Sequence, residues 1–128
     1  MSTTENKAFI ARYFEALSGK DKPLSVVNQY VADSDQELKD HIAFFEASFP
    51  RYELIADEML AESNKVVVRT RFIGTHKGEL MGLPPTGKTA EIQIALIYEV
   101  ENGKIVHHWM LADQMSLMQQ LGAIPAQA

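Results

Sequence analysis

The chain has no cysteine among its 128 residues. That excludes disulfides and thiolate metal ligands, and it leaves the redox compartment unreadable. Basic charge is scarce: 12 Lys and Arg stand against 17 Asp and Glu, a formal net charge of -5. A nucleic-acid partner would want a basic stripe, so none is expected. No apolar run approaches membrane-spanning length, and the opening MSTTENK is polar rather than a signal sequence. No membrane partner is expected, and the cytoplasm is the default location. Internal repeats, low-complexity tracts and linkers are also lacking. What remains is a chain that is 46% hydrophobic and 23% charged. Its length suits one domain spanning residues 1–128 with a real core.

The first half reads as helices. Ser2-Thr3-Thr4-Glu5 fits a capping box, and Phe9, Ile10, Tyr13, Phe14 and Leu17 follow at helical spacing up to Gly19. Val26, Val27, Tyr30 and Val31 suggest a second, short helix. Ser34-Asp35-Gln36-Glu37 is another capping box, with Ser34 at the cap. It opens a third helix that places Leu38, Ile42, Phe45 and Phe49 on one face and stops at Pro50.

After Pro50 the period changes to two. Residues 52–62 and 65–76 read as strands joined at Ser63-Asn64, and 89–101 alternates with Ile92, Ile94, Leu96, Tyr98 and Val100 on one face. Asn102-Gly103 is a strong hairpin signal, so residues 104–112 return as a fourth strand. A short apolar helix, 114–121, closes at Gly122. Three helices, four strands in two hairpins and a last helix predict an α+β fold, a curved antiparallel sheet with helices on one side.

A two-residue turn at Asn102-Gly103 sets a register. It pairs Val100 with Ile105, Tyr98 with His107, Leu96 with Trp109, Ile94 with Leu111 and Ile92 with Asp113. This reading puts His107, Trp109, Leu111 and Asp113 on the inner face. Ala95, Ile97, Val106, Met110 and Ala112 then fall on the outer face, too apolar to leave in water, and predict a homodimer. In the first hairpin, Glu58 should oppose Arg69 on the outer face.

Gly82-Leu83-Pro84-Pro85-Thr86-Gly87-Lys88-Thr89 spells the phosphate-loop pattern. That motif needs consecutive backbone N–H groups and a helix immediately after. Pro84 and Pro85 have no N–H, and a strand follows, so nucleotide binding is not expected. None of His41, His76, His107 and His108 has the i, i+4 spacing of a zinc protease, so no metal is expected. Asp113 has two readings. It precedes a helix and can cap it, which would lower its pKa; or it is desolvated among apolar residues, which would raise the pKa and suit a base. His107 is either a satisfied core histidine or a pocket residue.

Gly74-Thr75-His76-Lys77-Gly78-Glu79-Leu80-Met81-Gly82-Leu83-Pro84-Pro85-Thr86-Gly87-Lys88 resembles the GTHxGEFxGxPPTG signature of the SnoaL-like polyketide cyclase family. Asn102-Gly103-Lys104-Ile105, Trp109, Asp113 and Gln120-Leu121-Gly122 continue the likeness in order and spacing. It departs at His107, where the family commonly has Glu. The resemblance implies a cone-shaped α+β barrel of the nuclear transport factor 2-like superfamily. It also implies a cofactor-free acid/base enzyme that takes a proton from the carbon beside a carbonyl, as in intramolecular aldol cyclisation, with Asp113 as the catalytic base. Relatives that hydroxylate or isomerise, and others that only bind or dimerise, are the alternatives. The expected ligand is small and apolar or polyketide-like. The expected pocket is lined by Tyr13, Phe72, Tyr98, Trp109 and Leu111, with His107 or Tyr98 as hydrogen-bond donor.

Overall fold

A computed structural model describes residues 2–124. Helix α1 (Thr3–Leu17) is followed by α2 (Leu24–Tyr30), a 3₁₀ turn (Asp33–Asp35) and α3 (Gln36–Ser48). Strands β1 (Glu53–Glu62), β2 (Lys65–Thr75), β3 (Thr89–Glu101) and β4 (Lys104–Ala112) come next, then α4 (Gln114–Leu121). The strands pair in chain order as one antiparallel meander. This is the α+β plan expected: a curved four-stranded sheet wrapped as a cone around its helices. None of the described helices is long and apolar enough to cross a membrane.

Local chemistry accounts for the ends of the elements. The Ser2 capping box forms in both directions, with Glu5 N–H donating to Ser2 Oγ and Ser2 N–H to Glu5 Oε1. α3 is capped one residue later than the sequence suggested. Asp35 Oδ1, not Ser34, accepts from Leu38 N–H at 3.1 Å. Ser34 instead donates to the Val106 carbonyl at 2.9 Å. Asn102 and Gly103 both take positive φ, the two-residue turn that Asn-Gly favours.

The core lies between α1, α3 and the inner face of the sheet. Aromatic contacts run through it: Tyr13 meets Tyr98 edge-on at 5.7 Å, and Phe49 meets Phe72 edge-on at 5.2 Å. The charged turn after α1 is tied down by Lys22. Its buried ammonium donates to the Lys20 and Tyr52 carbonyls and to Glu46 Oε1, 4.0 Å above the Tyr52 ring. Burial lowers its pKa, and Glu46 partly opposes that.

Register in the first hairpin is as read: Glu58 pairs with Arg69 on the outer face, beyond a bulge at Asp57. The second hairpin corrects the expectation. Val100 pairs with Ile105, but Glu99 pairs with His107, so Val106 is an extra residue on β4. Every later pair shifts by one, and Tyr98 opposes His108, Leu96 opposes Met110, and Ile94 opposes Ala112. A one-residue slip turns all the side chains over. His108, Met110 and Ala112 therefore face inward, while His107, Trp109 and Leu111 face outward.

The segment after β2 docks on the end of α3. Lys77 and Gly78 N–H groups donate to the Ser48 carbonyl at 3.0 and 3.1 Å, and Ser48 Oγ donates to Glu79 O at 2.7 Å. A Cβ on Gly78 would overlap the Ala47 carbonyl oxygen. Backbone cannot yield there as a flexible side chain would, so Gly78→Ala should destabilise by roughly 1–3 kcal/mol. Urea unfolding checks this, and an unchanged midpoint would show that the loop relaxes freely.

Candidate functional site

The inner face of the sheet and the buried face of α3 enclose a cavity of about 50 Å³. On this scale one water occupies about 10–15 Å³, so the space holds a fragment of a few heavy atoms unless side chains move. Its walls are apolar: Leu38, Ile42 and Phe45 from α3; Ile92, Ile94 and Leu96 from β3; Met110 and Ala112 from β4; and Leu117 from α4. Three kinds of polar side chain line it: the phenols of Tyr13, Tyr52 and Tyr98, the Gln114 amide and the His41 imidazole. None of the described lining residues is a carboxylate.

Burial pushes the phenols of Tyr13, Tyr52 and Tyr98 well above their ordinary pKa; Tyr98 and Tyr52 add to the shift of Tyr13, while for Tyr98 the nearby Tyr52 adds and the hydrogen bond with Tyr13 opposes. They stay protonated and can only donate or accept hydrogen bonds. His41 moves the other way. Desolvation, then the neighbouring His108, lowers its pKa, with Glu37 opposing. Its ring packs on Phe45 at 4.6 Å and is neutral at neutral pH.

Of the residues expected to line the pocket, Tyr13, Phe72 and Tyr98 do. Trp109 and Leu111 do not: they are 49% and 64% exposed on the outer face. His107 is also outside, 3.4 Å from Glu99. The Val106 bulge is the physical reason for all three. Asp113 lies at the end of β4 with its carboxylate exposed, and Oδ1 accepts from Ser116 N–H at 3.1 Å. The geometry there is that of the N-cap of α4, outside the pocket lining. It borders a shallow outer groove with Arg69, Gln93 and Leu111.

Sequence reasoning missed two polar groups, His108 and His41. His108 is the inward histidine, and its Nδ1 lies 2.7 Å from Asp35 Oδ2 with both side chains nearly buried. His41 carried a readable signal. It occupies the stripe Leu38, His41, Ile42, Phe45, the i, i+3, i+4, i+7 pattern of a buried helix face. A polar residue in such a stripe faces the interior.

A curved antiparallel sheet closing as a cone over its helices, with an apolar pocket inside, defines the class of α+β cone folds. The model of the SnoaL-like polyketide cyclase family matches residues 23–121. The chain belongs to that family. Solved structures agree. AclR, a proposed hydroxylase from Streptomyces galilaeus, is 23% identical, with a TM-score of 0.86 over 99% of this chain and 87% of its own. IdmH, a proposed polyketide cyclase from Streptomyces antibioticus, is 25% identical, with a TM-score of 0.76 over 91% and 98%. A SnoaL-like protein from Jannaschia sp. CCS1 is 20% identical, with a TM-score of 0.82 over 96% and 95%. No curated protein matches the chain.

The two aspartate caps differ in what they hold. Asp113 caps one exposed turn, so Asp113→Asn should leave stability within about 0.5 kcal/mol, and Asp113→Ala should cost about 1 kcal/mol. Asp35 caps α3 and also holds His108. Asp35→Ala should cost about 2–4 kcal/mol, as a cap and a charge-assisted bond are lost together. Equal losses for the two alanine variants in urea would refute the joint role.

Proposed function

We propose that the pocket binds a small, mostly apolar carbonyl compound and that the protein is a cofactor-free acid/base enzyme acting beside that carbonyl. The observation that carries this reading is the make-up of the pocket. Apolar walls enclose protonated phenols, which can donate to a carbonyl oxygen, together with a neutral imidazole and no fixed charge. Hydrogen bonds to an oxygen on which charge develops are worth most in a site that excludes water. Membership of the cyclase family supports proton abstraction as the shared step. The cyclase and hydroxylase assignments proposed for the relatives leave the outcome after that step open.

A second reading has its own observation. The Asp113 carboxylate, the expected base, is occupied as a cap, which fits a domain that binds without catalysing. Two measurements separate the readings. Cyclohexanone should shift methyl resonances of Ile92, Ile94 and Leu117. Cyclohexanecarboxylate should bind about 10-fold or more weaker, because no cation compensates its desolvation. Exchange of the ketone's α-hydrogens in D₂O faster than in buffer supports the enzyme; binding without exchange supports the second reading.

We also propose that the outer face is covered by a second copy of the chain. Leu60, Val67, Ile97 and Trp109 pair in register as an apolar row across all four strands. Leu60 is 62% exposed and Val67 41%. The membership of this face differs from the expectation, since Met110 and Ala112 turn inward and Trp109 and Leu111 stand outward in their place. The flanking rows are already paired within the chain, Arg69 with Glu58, Arg71 with Asp57, and Lys65 and His107 with Glu99. A two-fold contact there buries apolar surface without stranding a charge. Light scattering at micromolar concentration should give a dimer, and Trp109→Glu with Leu111→Glu should give a monomer. A monomeric wild-type protein would defeat the proposal.

A further inference from the structure

We propose that His41, on the buried face of α3, is the group that takes the substrate's proton in this pocket. The inference rests on the acid/base reading above and assigns its base. The placement is geometric. His41 lines the cavity beside Leu38, Ile42 and Phe45, facing the β3 and β4 side chains that form the opposite wall. On β4 the inward position opposite Leu96 is Met110, which holds no proton. The lining tyrosines are proton donors, Gln114 is neutral, and no carboxylate lines the space. His41 is the one lining group among the described residues that can gain a proton near neutral pH.

The rest of the fold holds this imidazole in place. Asp35 caps the first turn of α3 and fastens it to His108 of β4. His41 follows the cap by less than two turns, so the same contacts set its depth in the cone. Phe45, one turn on, supports its ring. The charged and titratable neighbours are Glu37 on α3, His108 on β4 with Asp35 behind it, and the three lining tyrosines. Burial keeps the ring unprotonated, the form a base needs.

The step balances within the pocket. An unprotonated His41 ring nitrogen takes a hydrogen from the carbon beside the carbonyl as a proton. The C–H electron pair becomes the enolate double bond, and the carbonyl π pair moves onto oxygen. A tyrosine O–H donates a hydrogen bond to that oxygen. The imidazolium then returns the proton to carbon, or in a cyclisation to the new alkoxide, which restores the neutral ring.

The test uses cyclohexanone in D₂O, followed by NMR, with wild-type, His41→Gln, His41→Phe and Asp113→Asn proteins. Gln keeps hydrogen bonding and Phe keeps the packing on Phe45, so a folding failure in one leaves the other. Thermal unfolding confirms which variants are folded. Both His41 variants should lose α-hydrogen exchange by about 100-fold or more, while Asp113→Asn keeps it. A second readout does not depend on turnover: the His41 imidazole resonances, identified by their absence from the variants, should move when the ketone binds. Exchange that survives in a folded His41 variant, or that disappears in Asp113→Asn, overturns the assignment alone. A wild-type protein that exchanges nothing overturns the acid/base reading as well.

Discussion

The structure turns on one carboxylate. Asp35 Oδ1 accepts the Leu38 N–H and so starts α3; Oδ2 meets the His108 ring and so ties that start to β4. A nearly buried carboxylate is costly unless its oxygens are bonded, and here each has a partner. The neighbourhood is built the same way. Ala32 N–H donates to the Ile105 carbonyl at 2.8 Å, Val31 forms a parallel bridge with Ile105, and Ser34 takes the Val106 carbonyl. Three consecutive features of the helix connection thus meet β4 where it bulges. The bulge frees a carbonyl that Ser34 satisfies, and it aims His108 at Asp35.

That account explains which parts of the fold were legible. Helix α1, the Ser63-Asn64 and Asn102-Gly103 turns, and the alternation of β3 are decided by neighbours within a few residues, and they appear as read. The pairing of Glu58 with Arg69 also follows from counting back from a turn. The β4 register does not. Ile105, Val106, His107 and His108 offer no glycine to mark a bulge, and its partners, Val31 to Asp35, lie about seventy residues away. No local pattern carries that information.

The site was legible to the same extent. Tyr13, Phe72 and Tyr98 sit on elements whose faces are set locally, and they line the pocket. His107, Trp109 and Leu111 were placed by counting through the unseen bulge and came out reversed. For Asp113 the sequence allows two geometries, cap or pocket, and its oxygen lies on the Ser116 N–H. His41 required no long-range knowledge. Its sign is a histidine inside the apolar stripe of α3.

The bulge also joins assembly to chemistry. Removing Val106's extra place would return Trp109 and Leu111 to the interior and put His108, Met110 and Ala112 outside. The cavity would then fill with an indole where it now has a methionine, and His107 would stand in the place of His108 opposite Tyr98. The outer face would lose its largest apolar side chain at the same stroke. A single inserted residue therefore decides both how much room the pocket has and how apolar the opposite face is. The two cannot drift independently, because successive side chains of one strand serve opposite surfaces.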